Sequence, residues 1–161
     1  VAGPPAGGAG SEGLVEGVAG ALERAAAEDA VRAILLRGEG RAFCAGDDLK
    51  EFEGQVRSNA GTHRYLTRIQ DTARMMVLGR KPVVAAAQGW AAGGGLEWLI
   101  NADFVIIAEG TRCFFPEVSL GFIVTGGITR SYAEGLPRRL FVEPVEVDGC
   151  AEKTCSLASQ T

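Results

Sequence analysis

Three short apolar runs constrain this chain more than any other feature: "AILL" (Ala33 to Leu36), "VVAAAQG" (Val83 to Gly89) and "FVIIA" (Phe104 to Ala108). A half-buried strand alternates apolar and polar residues. The unbroken run from Ala33 to Leu36 instead predicts a strand buried on both faces, and the other two read as short buried strands. Helical spacing precedes the first two. Leu14, Val15, Val18, Leu22 and Ala26 recur along one stripe, and Tyr65, Ile69, Ala73 and Met76 along another. Gly79 is placed to cap the second helix, and Pro82 forbids its continuation. Strands alternating with helices, without an internal repeat, predict an α/β fold with parallel strands and helical crossovers.

The flanks read differently. Residues 1–13, "VAGPPAGGAGSEG", hold five glycines and two prolines and are expected to be irregular. A core is expected over 14–130, while both periodicities fade from Ser131, leaving 131–161 unassigned. At 161 residues the chain suffices for one domain with a real core. A net charge of −4 without a basic run argues against nucleic acid as a partner. No stretch reaches the roughly 18 apolar residues of a membrane span, and no basic-then-apolar secretory signal opens the chain. Four cysteines, at 44, 113, 150 and 155, follow neither a metal nor a disulfide pattern. A lone histidine, His63, speaks against a His-based zinc site, so no metal is expected and the predicted compartment is the cytoplasm.

Three places could carry chemistry. "RAFCAGDDLKEF" (Arg41 to Phe52) and "GWAAGGGLEW" (Gly89 to Trp98) each follow a strand, and "FFPEVSLG" (Phe114 to Gly121) follows a short extended run. Small residues at a strand end let a ligand reach the backbone. A helix starting near Gly94 or Gly95 would offer unpaired first-turn N–H groups and the positive end of its dipole. One such donor can contribute roughly 3–4 kcal/mol to a developing oxyanion. Glu97, in the first turn of that helix, and Glu117, returned by the next strand, could divide general acid and general base work. Blander readings stand beside these. Glu97 would complement a helix N-terminus, Glu117 would be a surface residue after a proline, and Asp47–Asp48 would form a turn or cap. Phe114, Phe115, Trp90 and Trp98 are near enough in sequence to shape a pocket, but read first as core packing.

Taken together, "RAFCAGDDLKEF", "KPVVAAAQGWAAGGGLEW" and "FPEVSLG" resemble the successive signatures of the crotonase (enoyl-CoA hydratase/isomerase) superfamily, over roughly Leu14 to Ile128. The resemblance implies a ββα spiral core. It implies that the backbone N–H groups of Asp47 and Gly94 hold a thioester oxygen, and that Ala45, Asp48, Leu49 and Lys50 line the CoA side of the first loop. Glu97 and Glu117 match the two catalytic glutamates of the hydratases. The implied activity is addition of water to an α,β-unsaturated acyl-CoA, with the thioester as substrate and no cofactor. An isomerase is the alternative, as is a non-catalytic remnant that binds acyl-CoA. The implied assembly is a homotrimer or hexamer. The chain departs from the pattern at both ends. The glycine-rich 1–13 stands where the family begins with a strand, Thr125 replaces a glycine that helps position water, and the C-terminal trimerisation helices find no counterpart in 131–161.

Overall fold

Local patterning accounts for most elements, and pairing between distant segments accounts for the rest. The computed structural model describes residues 9–10, 12–47, 58–121, 123–127 and 140–143. In chain order these form β1 (Ala9–Gly10), α1 (Glu12–Ala27), β2 (Ile34–Arg37), β3 (Gly46–Asp47), α2 (Asn59–Leu78) and β4 (Val83–Ala87). There follow β5 (Trp90–Ala92), α3 (Gly94–Asn101), β6 (Phe104–Ala108), β7 (Arg112–Phe114), α4 (Glu117–Leu120) and β8 (Leu140–Glu143).

The helices follow their apolar stripes. Val15, Val18 and Leu22 of α1 are buried, as are Tyr65, Ala73 and Met76 of α2, whereas Ala26 is exposed and Ile69 half-buried. Thr72 joins the buried face because its hydroxyl donates to the Arg68 carbonyl at 2.8 Å. Ser58 starts α2 by accepting from the Gly61 N–H at 3.0 Å. Gly79 ends α2 in an extended conformation, not the left-handed one a capping glycine usually supplies. Its glycine is required by space instead, since a Cβ there would run into the Met75 carbonyl oxygen. Arg68 ties α2 to α1 through Glu16 (2.8 Å) and Glu23 (2.7 Å), and Lys81 donates to the Ala25 and Glu28 carbonyls at the C-terminal end of α1.

Besides the short pairing of β1 with β3, two parallel ladders organise the strands. The larger has the order β2-β4-β6-β8, with Leu36 opposite Ala85, Ala85 opposite Val105 and Val105 opposite Leu140. In the smaller, Cys44 bridges Ala91 of β5, which pairs with Cys113 of β7. Each of β2, β4 and β6 is thus followed by a short excursion into the second ladder (at Cys44, β5 and β7) and then by a helix. This is the ββα spiral the resemblance implied. Val18, Leu22, Met76, Val83, Ala85, Leu99 and Val105 fill the core between the larger ladder and the helices.

Several expectations are corrected. Leu36 is buried but Leu35 is 54% exposed, so β2 is buried on one face only, as befits the edge of its sheet. α1 begins at Glu12, before the periodicity sets in, and Ala9–Gly10 pair with Gly46–Asp47, so the segment 1–13 is not wholly irregular. "WAA" is a strand of its own between the run ending at Gly89 and the helix, and "LFVE" in the unassigned tail pairs with β6. Trp98 is buried as expected, but Trp90 and Phe114 are exposed; they stack edge-to-face at 5.9 Å, with Arg112 over the Trp90 ring at 5.0 Å. The expected lack of trimerisation helices concerns residues that, apart from Leu140–Glu143, lie outside the described ones. Among the described residues no helix is long and apolar enough to cross a membrane.

Candidate active site

The glycine triplet gathers three segments around the start of α3. Gly93 is the residue before the helix, with φ +53°, a region that favours glycine. Its N–H donates to the Phe114 carbonyl at 3.1 Å, and its carbonyl accepts from the Glu97 N–H at 3.0 Å. A Cβ on Gly93 would lie 2.8 Å from Glu117 Oε1 and 3.8 Å from the Gly46 Cα. A Cβ on Gly95 would lie 2.5 Å from the Cys44 Cβ and 2.9 Å from its carbonyl oxygen. Bare backbone at these two positions therefore lets the first loop and the start of α4 close on one helix end. Gly94 is the first residue of α3, where an N–H has no acceptor within its own helix.

Of the residues singled out in the sequence, Glu97, Glu117, Gly94 and the Gly46–Asp47 backbone are drawn to this place. Glu97 is 4% exposed, and its Oε1 accepts from the Thr125 and Gly126 N–H groups, each at 3.0 Å. Its carboxylate therefore binds a distant segment, beyond the simple role of complementing its own helix. Glu117 opens α4 half-buried, with Oε1 against Gly93, and is more enclosed than a surface residue after a proline. Asp47 continues β3 opposite Gly10, and Ala45 is exposed. Asp48, Leu49 and Lys50 lie outside the described residues.

Two participants escaped sequence reasoning. Asn101, one turn after Glu97 on α3, is 5% exposed and donates through Nδ2 to the Gly126 carbonyl at 2.7 Å. Gly126 is the other, because a Cβ there would overlap Glu97 Oε2. The available signal was an asparagine at i+4 from a glutamate, inside an otherwise apolar helix. His63 lies exposed on α2, and Cys44 and Cys113 are not disulfide-bonded. No group of three or more His, Cys, Asp or Glu among the described residues could hold a metal ion. A carboxylate enclosed by protein, as Glu97 and Glu117 are, is a group that can give or take a proton.

Comparison with known proteins agrees with this architecture. Residues 4–145 match the sequence profile of a family described as enoyl-CoA hydratase/isomerase. A mevalonyl-coenzyme A hydratase of Beauveria bassiana is 36% identical over 107 residues, covering 63% of this chain and 38% of that protein. A hexahydro-1H-indene-carboxyl-CoA hydrolase of Mycobacterium tuberculosis is 32% identical over 138 residues, covering 81% of this chain and 53% of its own length. Among solved structures, an enoyl-CoA hydratase of Bacillus anthracis superposes with a TM-score of 0.71 at 33% identity, covering 78% of this chain and 48% of that one. The chain spans about half the length of the curated relatives it matches.

Proposed function

Because this chain belongs to the enoyl-CoA hydratase/isomerase family, with the crotonase fold, we propose that it adds water across the double bond of an α,β-unsaturated acyl-CoA. The observation that supports the reading is a pair of glutamates about α3: Glu97, in its first turn, accepts from the Thr125 and Gly126 amides, and Glu117 Oε1 lies against Gly93, the residue before the helix. In this reading the thioester oxygen accepts from the Asp47 and Gly94 N–H groups, while Ala45, Asp48, Leu49 and Lys50 line the CoA side. The two glutamates orient a water molecule. One takes its proton as the oxygen adds to the β-carbon, and a proton from the other, or the same one relayed, reaches the α-carbon. The negative charge that builds up on the thioester oxygen is met by the two amides, which bind it more tightly than they bind the ground-state carbonyl. The acyl-CoA substrate, a family trimer or hexamer and a cytoplasmic location belong to the same proposal.

The test replaces Glu97 and Glu117 singly by Gln and follows hydration of crotonyl-CoA. Removing a general acid or base should cost about 100- to 10,000-fold in rate. Acetoacetyl-CoA, a mimic that cannot be hydrated, should still raise the unfolding midpoint, by the equivalent of about 2.7 kcal/mol at 100 times its dissociation constant. Unchanged hydration in both variants would refute the roles. Binding without turnover in the unaltered chain would instead support a binding module. The isomerase alternative, which the family's description also covers, predicts double-bond migration in a 3-enoyl-CoA without hydration.

A further inference from the structure

Gly126 is gripped at both ends of its backbone by a single helix. Its N–H donates to Glu97 Oε1 at 3.0 Å, and its carbonyl accepts from Asn101 Nδ2 at 2.7 Å. Glu97 and Asn101 stand at i and i+4, on one face of α3. The neighbouring Thr125 N–H completes the hold on the same carboxylate oxygen, at 3.0 Å.

Core stability alone does not explain an asparagine here. Position 101 is 5% exposed at the end of an apolar helix, where a leucine would pack without any polar demand. The amide makes one hydrogen bond, and its Oδ1 is buried without a hydrogen-bond partner among the described residues. A buried acceptor in that state is a cost. What the side chain supplies in return is the fixed position of one carbonyl, 25 residues away in sequence.

We infer that Asn101 is a positioning residue: by holding the Gly126 carbonyl it sets the Thr125 and Gly126 amides that fix the Glu97 carboxylate. The inference deepens the acyl-CoA reading and rests on it for its significance, since orienting Glu97 matters only if Glu97 meets the reacting groups. The linkage itself does not depend on turnover. Residues 125–127 belong to no helix or strand, so the grip from α3 is what registers this segment on the helix.

Residue-resolved hydrogen exchange on the intact chain tests the inference. The Thr125 and Gly126 amides should exchange about 100-fold more slowly than in an unstructured peptide, although they lie outside regular structure. Asn101→Leu, and the isosteric Asn101→Asp, which offers an acceptor where a donor is needed, should speed both amides about tenfold relative to Ala85 and Ala87 in β4. A destabilising control at the opposite end of α2, Ser58→Ala, which removes the acceptor for the Gly61 N–H, should leave the ratio unchanged. Where hydration is measurable, Asn101→Leu should lower kcat with little change in KM. Unprotected amides in the unaltered chain overturn the inference, even should both variants fail to fold. So does a variant that speeds all amides equally. Loss of hydration in Glu97→Gln with no effect of Asn101 on the amides would leave the proposed function standing and remove this linkage alone.

Discussion

A methyl group added at Gly126 should be felt almost entirely through Glu97. Built on this backbone, the new Cβ overlaps Glu97 Oε2 and lies 2.9 Å from Cδ, but stays 3.5 Å from the Glu97 Cβ. The carboxylate must swing away, and its two 3.0 Å bonds to the Thr125 and Gly126 N–H groups cannot both survive. A hydrogen bond to a charged group contributes about 1.5–3 kcal/mol. Allowing for partial relaxation, Gly126→Ala should destabilise the chain by about 2–4 kcal/mol, or roughly 5–15 °C in Tm. Urea unfolding of four proteins isolates the cause: the unaltered chain, Gly126→Ala, Glu97→Ala and the double variant. Without the Glu97 carboxylate the methyl meets only ordinary contact distance, so the coupling between the two positions should be about 2–3 kcal/mol. Gly127→Ala is the control. Its φ of +87° strains any other residue by about 1–2 kcal/mol, yet its Cβ would meet only the Ala73 Cβ at 3.7 Å, so Glu97→Ala should not change its cost. Equal costs for Gly126→Ala in both backgrounds would refute the reasoning, because the penalty would then be general crowding.

Two further outcomes concern the helices beneath the site. Ser58→Ala removes the acceptor for the Gly61 N–H at the start of α2 and should cost about 1 kcal/mol in thermal unfolding, leaving acetoacetyl-CoA binding intact. Arg68→Met breaks the links to Glu16 and Glu23, whose side chains are about half exposed. It should cost no more than about 1 kcal/mol, and that cost should shrink toward zero at roughly 1 M salt, where exposed charges are screened; a salt-independent loss would point instead to the packing of the arginine stem.

Much of the candidate site was legible because it is written in local terms. "AGDD" and "AGGGLE" combine small residues with an acid, "FPEV" sets an acid behind a proline just after a strand, and the demands they answer, bare backbone or a carboxylate, are met within a few positions. The glycine triplet shows where such reading stops. Its presence was visible, but the collisions that require Gly93 and Gly95 involve Glu117 and Cys44, far along the chain. Asn101 was passed over for the same reason, since its partner carbonyl comes from a segment without periodicity of its own.

The chain's own order of residues determined the two long helices and the strands β4 and β6. Apolar spacing, Pro82 and the glycines act over one or two turns and need no partner to be read. Tertiary structure alone decided the second ladder, in which three-residue strands are too short to carry a period and exist because Cys44, Ala91 and Cys113 pair across the spiral. It likewise decided that β2 would be an edge, that Leu140–Glu143 would become a strand beside β6, and that Glu97 would bind the amides of residues 125 and 126. Each of these is a contact between distant segments, and a backbone hydrogen bond records nothing of its partner in the side chains that flank it.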